Sequence, residues 1–121
     1  MPKPSKKAAT ILLVEDDEFL AELYATKLGL EGFSVHVAND GRKGLKSAQE
    51  LHPDLMLLDI ILPKMDGFEV LRQLKSDAQT KGIPVILLTN LSQRSEVQQG
   101  LDLGAVDYLI KAHFMPSEVV T

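Results

Sequence analysis

Four apolar runs punctuate the chain, and each ends on a polar group: Ile11 to Val14 on Glu15 and Asp16, Leu55 to Leu58 on Asp59, Val85 to Leu88 on Thr89, and Tyr108 to Ile110 on Lys111. Apolarity at successive positions predicts strands buried on both faces, as in a parallel sheet. Segments of helical period separate them. Asp17 to Glu31 puts Leu20, Leu23, Tyr24 and Leu28 on one side of a helix that Gly32 stops. Phe33 to Val37 reads as a strand with Phe33, Val35 and Val37 on one face. Asn39-Asp40-Gly41 then opens a helix striped by Leu45, Ala48 and Leu51, which Pro53 closes. Pro63-Lys64-Met65-Asp66-Gly67 is a loop into a third helix, with Phe68, Leu71 and Leu74 inward. Gly82 and Pro84 precede the Val85 strand. A weaker helical pattern, Val97, Leu101 and Leu103, ends at Gly104, and Val106 to Ile110 makes the last strand. Such alternation predicts an α/β layered fold, with a parallel sheet and right-handed crossovers. Every polar strand end then falls on the carboxyl edge of one sheet, where open α/β folds place their sites.

Composition narrows the function classes. At 121 residues, 45% of them hydrophobic, the chain fits one core. We expect a flexible leader over residues 1–9, with Lys3, Lys6 and Lys7 solvated, and a single domain over 10–121. A formal charge of −4 gives no electrostatic footprint for nucleic acid. The absence of cysteine rules out disulfides and thiolate metal sites. The first residues lack the apolar stretch of a signal peptide, and no run approaches the roughly 20 apolar residues of a membrane span. The expectation is a soluble cytoplasmic domain that contacts neither membrane nor nucleic acid.

The clustered groups point to phosphoryl chemistry. Like charges about 4 Å apart repel by about 4 kcal/mol at an effective dielectric near 20, so Glu15, Asp16 and Asp59 need a cation among them. Lys111 supplies one charge, and hard oxygen ligands around a partly hydrated site suit Mg²⁺. Asp59 is then placed to attack phosphorus, with Lys111 and the Thr89 hydroxyl on the equatorial oxygens. The remaining acids have plainer roles: Asp17 caps the first helix, and Asp40, Asp54 and Asp66 beside Pro or Gly are turn and cap residues. His36, His52 and His113 show no ligand spacing. Met56 reads as core, and Met65 as loop filler.

The acidic pair in LVEDDE, the acid in LLDIILPKMDG, then LLTN and DYLIK, in that order from Thr10 to Phe114, resemble a response-regulator receiver domain of the CheY-like kind. The resemblance implies a flavodoxin-like, doubly wound, five-stranded parallel sheet in order 2-1-3-4-5, in three α/β/α layers. It also implies phosphoryl transfer from a histidine kinase phosphohistidine or a phosphotransfer protein, with Mg²⁺ as cofactor. Carried over by position, Asp59 is the phosphoacceptor and Asp16 the direct metal ligand. Glu15 is the acid acting through water, and the Ile61 main-chain carbonyl is a further metal contact. Thr89 is the switch hydroxyl, Lys111 the phosphate-binding lysine and Tyr108 the switch aromatic. The domain would catalyse only its own phosphorylation and dephosphorylation, and would change its preference for an output domain, a protein target or a second copy.

Three departures from that pattern stand out. Ala112 follows Lys111 where the family has proline, and a cis bond before a non-proline costs about 3 kcal/mol, which favours trans; His113 falls where an aromatic is usual. Asn90 is bulkier than the small residue common after the switch threonine, making Asn90 and Ala112 neighbouring modulators. Only Ser117 to Thr121 follow Pro116, so the fifth helix is expected to be short or truncated. Competing classes fit less well. A haloacid-dehalogenase-like phosphatase wants a second acid where Ile61 stands, and a flavin carrier would meet repulsion from Glu-Asp-Asp-Glu. A receiver-like module that binds partners without phosphorylation is separated only by measured phosphoryl uptake.

Overall fold

A computed structural model describes residues 9–89 and 94–111. Residues 1–8 of the expected leader, Asn90, the Lys111–Ala112 peptide, Ala112, His113, Phe114 and the fifth helix lie outside the described residues. The described elements alternate as the hydrophobic pattern predicts: β1 (Thr10–Val14), α1 (Glu18–Leu30), β2 (Ser34–Ala38), α2 (Gly41–Leu51), β3 (Leu55–Asp59), α3 (Gly67–Ser76), β4 (Val85–Thr89), α4 (Arg94–Asp102) and β5 (Asp107–Ile110). All five strands pair in parallel, in the order β2-β1-β3-β4-β5. This is the 2-1-3-4-5 doubly wound order, whose reversal between β1 and β3 opens a crevice at their carboxyl ends.

Strand alternation divides the core into two clusters. Leu12, Val14, Met56, Leu58, Val85 and Leu87 face α2 and α3 with Val70, Leu71 and Leu74; Ile11, Leu13, Leu57 and Leu88 face α1 with Leu20, Ala21 and Tyr24. The central strands are apolar on both faces because both are covered. The edge strand β2 differs. It begins at Ser34, so Phe33 precedes it, and Val37 is 48% exposed because, among the described residues, no strand or helix lies beyond this sheet edge. Val106 likewise falls outside β5 and is exposed.

Helix ends follow local chemistry. Asp17, Asp40 and Asp66 each accept an amide three residues on, from Leu20 (3.1 Å), Lys43 (2.8 Å) and Glu69 (3.0 Å), each worth about 1 kcal/mol. All three caps sit at the carboxyl edge of the sheet, where the chain leaves a strand for a helix. At the opposite edge α2 ends on His52 in the left-handed region (φ 48°), and Asp54 locks β3 to β1 by accepting the Thr10 amide at 2.7 Å. Asp54 is therefore a cross-strand tie, as well as the turn residue that its neighbour Pro53 predicts.

Candidate functional site

The register of the sheet builds the site. Val14 pairs with Leu58, so Glu15 and Asp59 lie at the same level on neighbouring strands; Ile110 pairs with Thr89, so Lys111, the residue after β5, follows one level higher. Alternation continues the α1-facing positions Leu13, Leu57 and Leu109 into Glu15, Asp59 and Lys111, and the opposite face of β4 into Thr89. Lys111 bridges the two acids: its Nζ donates to Asp59 Oδ2 at 2.8 Å and lies 3.2 Å from Glu15 Oε1. Glu15, Asp59 and Thr89 are almost wholly buried. Asp16 is exposed at the rim, yet Glu15, Asp16 and Asp59 each bring a carboxylate oxygen within 4.8 Å of the others.

The loops hold these groups by main-chain contacts. Asp59 Oδ1 accepts the Ile61 amide at 3.2 Å, and Glu15 Oε2 accepts the Asp17 amide at 3.0 Å. Behind Asp59, a three-residue turn closed by the Met65 amide on the Pro63 carbonyl (2.8 Å) holds Lys64 at φ 72°, a conformation that costs a side-chain-bearing residue about 1–2 kcal/mol. Two glycines permit the packing of that loop. A Cβ on Gly67 would stand 2.3 Å from the Asp59 carbonyl oxygen, and one on Gly41 would overlap the carbonyl of Met65, so α2 and α3 both start hard against it.

The electrostatics show a site short of positive charge. Burial, reinforced by Asp59, pushes the Glu15 carboxyl up to about 7 despite the Asp17 amide and Lys111. Burial alone would draw the Lys111 ammonium down, but its hydrogen bond to Asp59 and the charges of both acids hold it above its ordinary value. Glu15 Oε1 faces that ammonium without hydrogen-bonding geometry and finds no other donor among the described residues. One lysine against three carboxylates leaves net negative charge and acceptor atoms aimed into the pocket, the donor chemistry of a hard divalent cation.

Glu15, Asp16, Asp59, Thr89 and Lys111 thus all meet at one edge of the sheet, with Ile61 beside Asp59 and 63% exposed. Tyr108 is on β5, on the Thr89 face, and is half-exposed at 39%. Asn90 and Ala112 lie outside the described residues. Tyr24 is a buried core position of α1, as its place in the helical pattern predicts.

Comparison with known proteins agrees with the geometry. The model of the response regulator receiver domain matches residues 11–120. The chain is 46% identical over 101 residues to the DNA-binding dual master transcriptional regulator RpaA of Synechocystis, covering 84% of this chain and spanning 42% of that regulator's length. Its fold superposes on Vibrio cholerae chemotaxis protein CheY4 with a TM-score of 0.82 at 30% identity, over 94% of each chain. It also matches the receiver domain of the Pseudomonas aeruginosa sensor histidine kinase PA1611, which carries a magnesium ion in its active site cleft: TM-score 0.81, 29% identity, 94% and 93% covered. The chain belongs to the response regulator receiver domains, the phosphoacceptor modules of two-component signalling.

Proposed function

We propose that Asp59 is the phosphoacceptor and that Lys111, Thr89 and a magnesium site at Asp16, Asp59, the Ile61 main-chain carbonyl and, through water, Glu15 make its phosphorylation possible. The observation that carries this reading is the Lys111 bridge between two buried acids, 2.8 Å from one and 3.2 Å from the other, inside a three-carboxylate cluster. Magnesium bound there supplies charge neutralisation between carboxylates and phosphoryl oxygens.

The chain's own residues do the rest. The Ile61 amide holds Asp59 Oδ1 and fixes the carboxylate plane. As a donor approaches, Lys111 exchanges Asp59 Oδ2 for a phosphoryl oxygen, freeing a lone pair. An O–P bond forms on Asp59 while the P–N bond of the donor phosphohistidine breaks, its electron pair staying on the imidazole nitrogen. The added charge draws the Thr89 hydroxyl, and Tyr108, on the same sheet face, follows into the space vacated. A full switch from 1:99 to 99:1 requires about 5.5 kcal/mol of differential stabilisation, more than these few contacts provide, so a partner or a second copy completes it.

The partners on this reading are a histidine kinase or phosphotransfer protein upstream and an output domain or protein target downstream, in the cytoplasm. The domain turns over no external substrate. No described helix is long and apolar enough to cross a membrane. Intact-mass measurement after acetyl phosphate treatment tests the proposal: wild type gains one phosphoryl group only with Mg²⁺, and Asp59→Asn gains none. Uptake by Asp59→Asn, or none by wild type, overturns it.

A further inference from the structure

The two edge strands of the sheet are finished differently. β5 opens on an acid, Asp107, whose carboxylate takes the Tyr108 amide at 2.8 Å. β2 reads Ser-Val-His-Val-Ala and carries no proline, lysine, arginine or acid, the residues that usually keep an edge strand from pairing. Its inner hydrogen bonds fix which groups point outward. The Ser34 amide donates to the Ala9 carbonyl at 2.9 Å, and the Ala38 carbonyl accepts the Glu15 amide at 3.0 Å, so both residues turn toward β1. Alternate residues of a parallel ladder turn opposite ways. The main-chain N–H and C=O groups of Val35 and Val37 therefore face the outer side, where no strand pairs with them among the described residues.

Side chains on both faces of this edge are unfinished too. Val35 and Val37 stand level with Ile11 and Leu13 on the α1 face; Val37 is exposed there, as are Phe33 before the strand and Leu30 at the end of α1. On the other face α2 flanks the edge. Lys43, Lys46, Ser47 and Glu50 border, with Val37, a groove of about 390 Å³, and their spacing of three and four residues sets them on one stripe of the helix. Among the described residues neither lysine forms an ion pair, and nor does Glu50.

We propose that this edge is a self-association surface: two copies pair their β2 strands antiparallel about a two-fold axis at His36, making one continuous sheet. Val35 of each copy then lies opposite Val37 of the other, and each such pair exchanges both main-chain hydrogen bonds. The exposed apolar side chains meet on the α1 face. On the α2 face charge selects a second copy over another partner. An 11-residue helix and a five-residue strand are both about 16 Å long, so the midpoint of α2 lies near the level of the axis. The rotation reverses the helix about that midpoint and brings Lys43 opposite Glu50 and Lys46 opposite Ser47. A stripe that is basic at one end and acidic at the other is complementary to itself in this arrangement.

Sedimentation equilibrium without phosphodonor, from micromolar to millimolar chain, tests the pairing. Wild type is expected to dimerise with a sub-millimolar dissociation constant. His36→Lys sets like charges opposite each other at the axis and weakens the dimer at least about tenfold. Lys43→Glu and Glu50→Lys each weaken it about three- to tenfold, and the charge-swapped double variant returns to within about twofold of wild type. Urea midpoints close to that of wild type show that each variant is folded. A chain that stays monomeric, a dimer that His36→Lys leaves intact, or a double variant no better than the singles overturns the inference. The pairing makes no use of Asp59, so failure of either reading leaves the other standing.

Discussion

Two half-buried lysines, one at each end of the sheet, make opposite use of their surroundings. Lys111, at the carboxyl edge, is clamped between the carboxylates of Asp59 and Glu15 and is held above its ordinary pKa. Lys75, at the end of α3, donates to the neutral carbonyls of Lys81 (3.0 Å) and Ile83 (2.9 Å), packs its stem against the backbone of Gly104, and is drawn below its ordinary value by burial. Desolvation penalises both charges; only charged partners reverse the sign. The amino edge uses its lysine as a staple for the loop before β4. At the carboxyl edge three carboxylates outnumber one lysine, the excess that the proposed metal and phosphoryl group would answer.

The comparison breaks if the two lysines cost the same to remove. Lys111→Met leaves buried acids without their cation and is expected to destabilise by about 3 kcal/mol in urea unfolding at pH 8 without magnesium, and to abolish rapid phosphorylation. Gly67→Ala tests the same edge through packing. A methyl 2.3 Å from a main-chain oxygen cannot be accommodated by a rotamer change, so a loss of about 2–3 kcal/mol is expected, with slower phosphorylation because the end of β3 and the loop after Asp59 must shift.

The pH dependence sharpens the contrast. Glu15 has a folded pKa near 7 against an ordinary 4.5, so the folded state binds its proton more tightly. Its contribution is full below about 4.5 and is lost as pH rises through 7. In magnesium-free buffer, wild type should therefore gain about 2 kcal/mol over Glu15→Gln between pH 8 and pH 5, read as the difference between their urea midpoints. At alkaline pH the lysines differ in sign. Stability from Lys111 is present below 10.5 and fades above it, whereas that from Lys75 increases as pH climbs toward 10.5.

The amino edge should respond more mildly. Lys75→Met keeps the stem and loses two neutral hydrogen bonds, a cost of about 1 kcal/mol with the phosphorylation rate unchanged. His52→Gly relieves a left-handed helix end and should stabilise by about 0.5 kcal/mol in thermal or urea unfolding. A change in phosphorylation rate from either substitution would show that the two edges are not independent.

Much of this was legible in the residues. Both-face apolarity in Leu12, Leu58 and Leu87 marked central strands, and the polar residues ending those runs marked the site, because parallel strands share one carboxyl edge. Asp17, Asp40 and Asp66 were readable as caps since their partners lie three residues away. Harder to read were features that depend on a neighbour distant in sequence. Burial of β2 depends on what covers a sheet edge, which alternation at Val35 and Val37 does not encode. The two-carbonyl grip of Lys75 needs the fold of the following loop, and the meeting of Tyr24 with Leu57 and Leu109 around one cavity joins residues far apart in the chain.

The strand alternation that sends Asp59 and Lys111 to one side of the sheet and Thr89 and Tyr108 to the other gives the sheet the character of a watertight bulkhead. If Asp59 is the phosphoacceptor, its added charge reaches the Tyr108 side not through the leucines but over the carboxyl edge, where Thr89 ends β4. On that reading, a donor that reaches Asp59 and a target that senses Tyr108 would meet opposite flanks of the sheet, so that neither caller need obstruct the other.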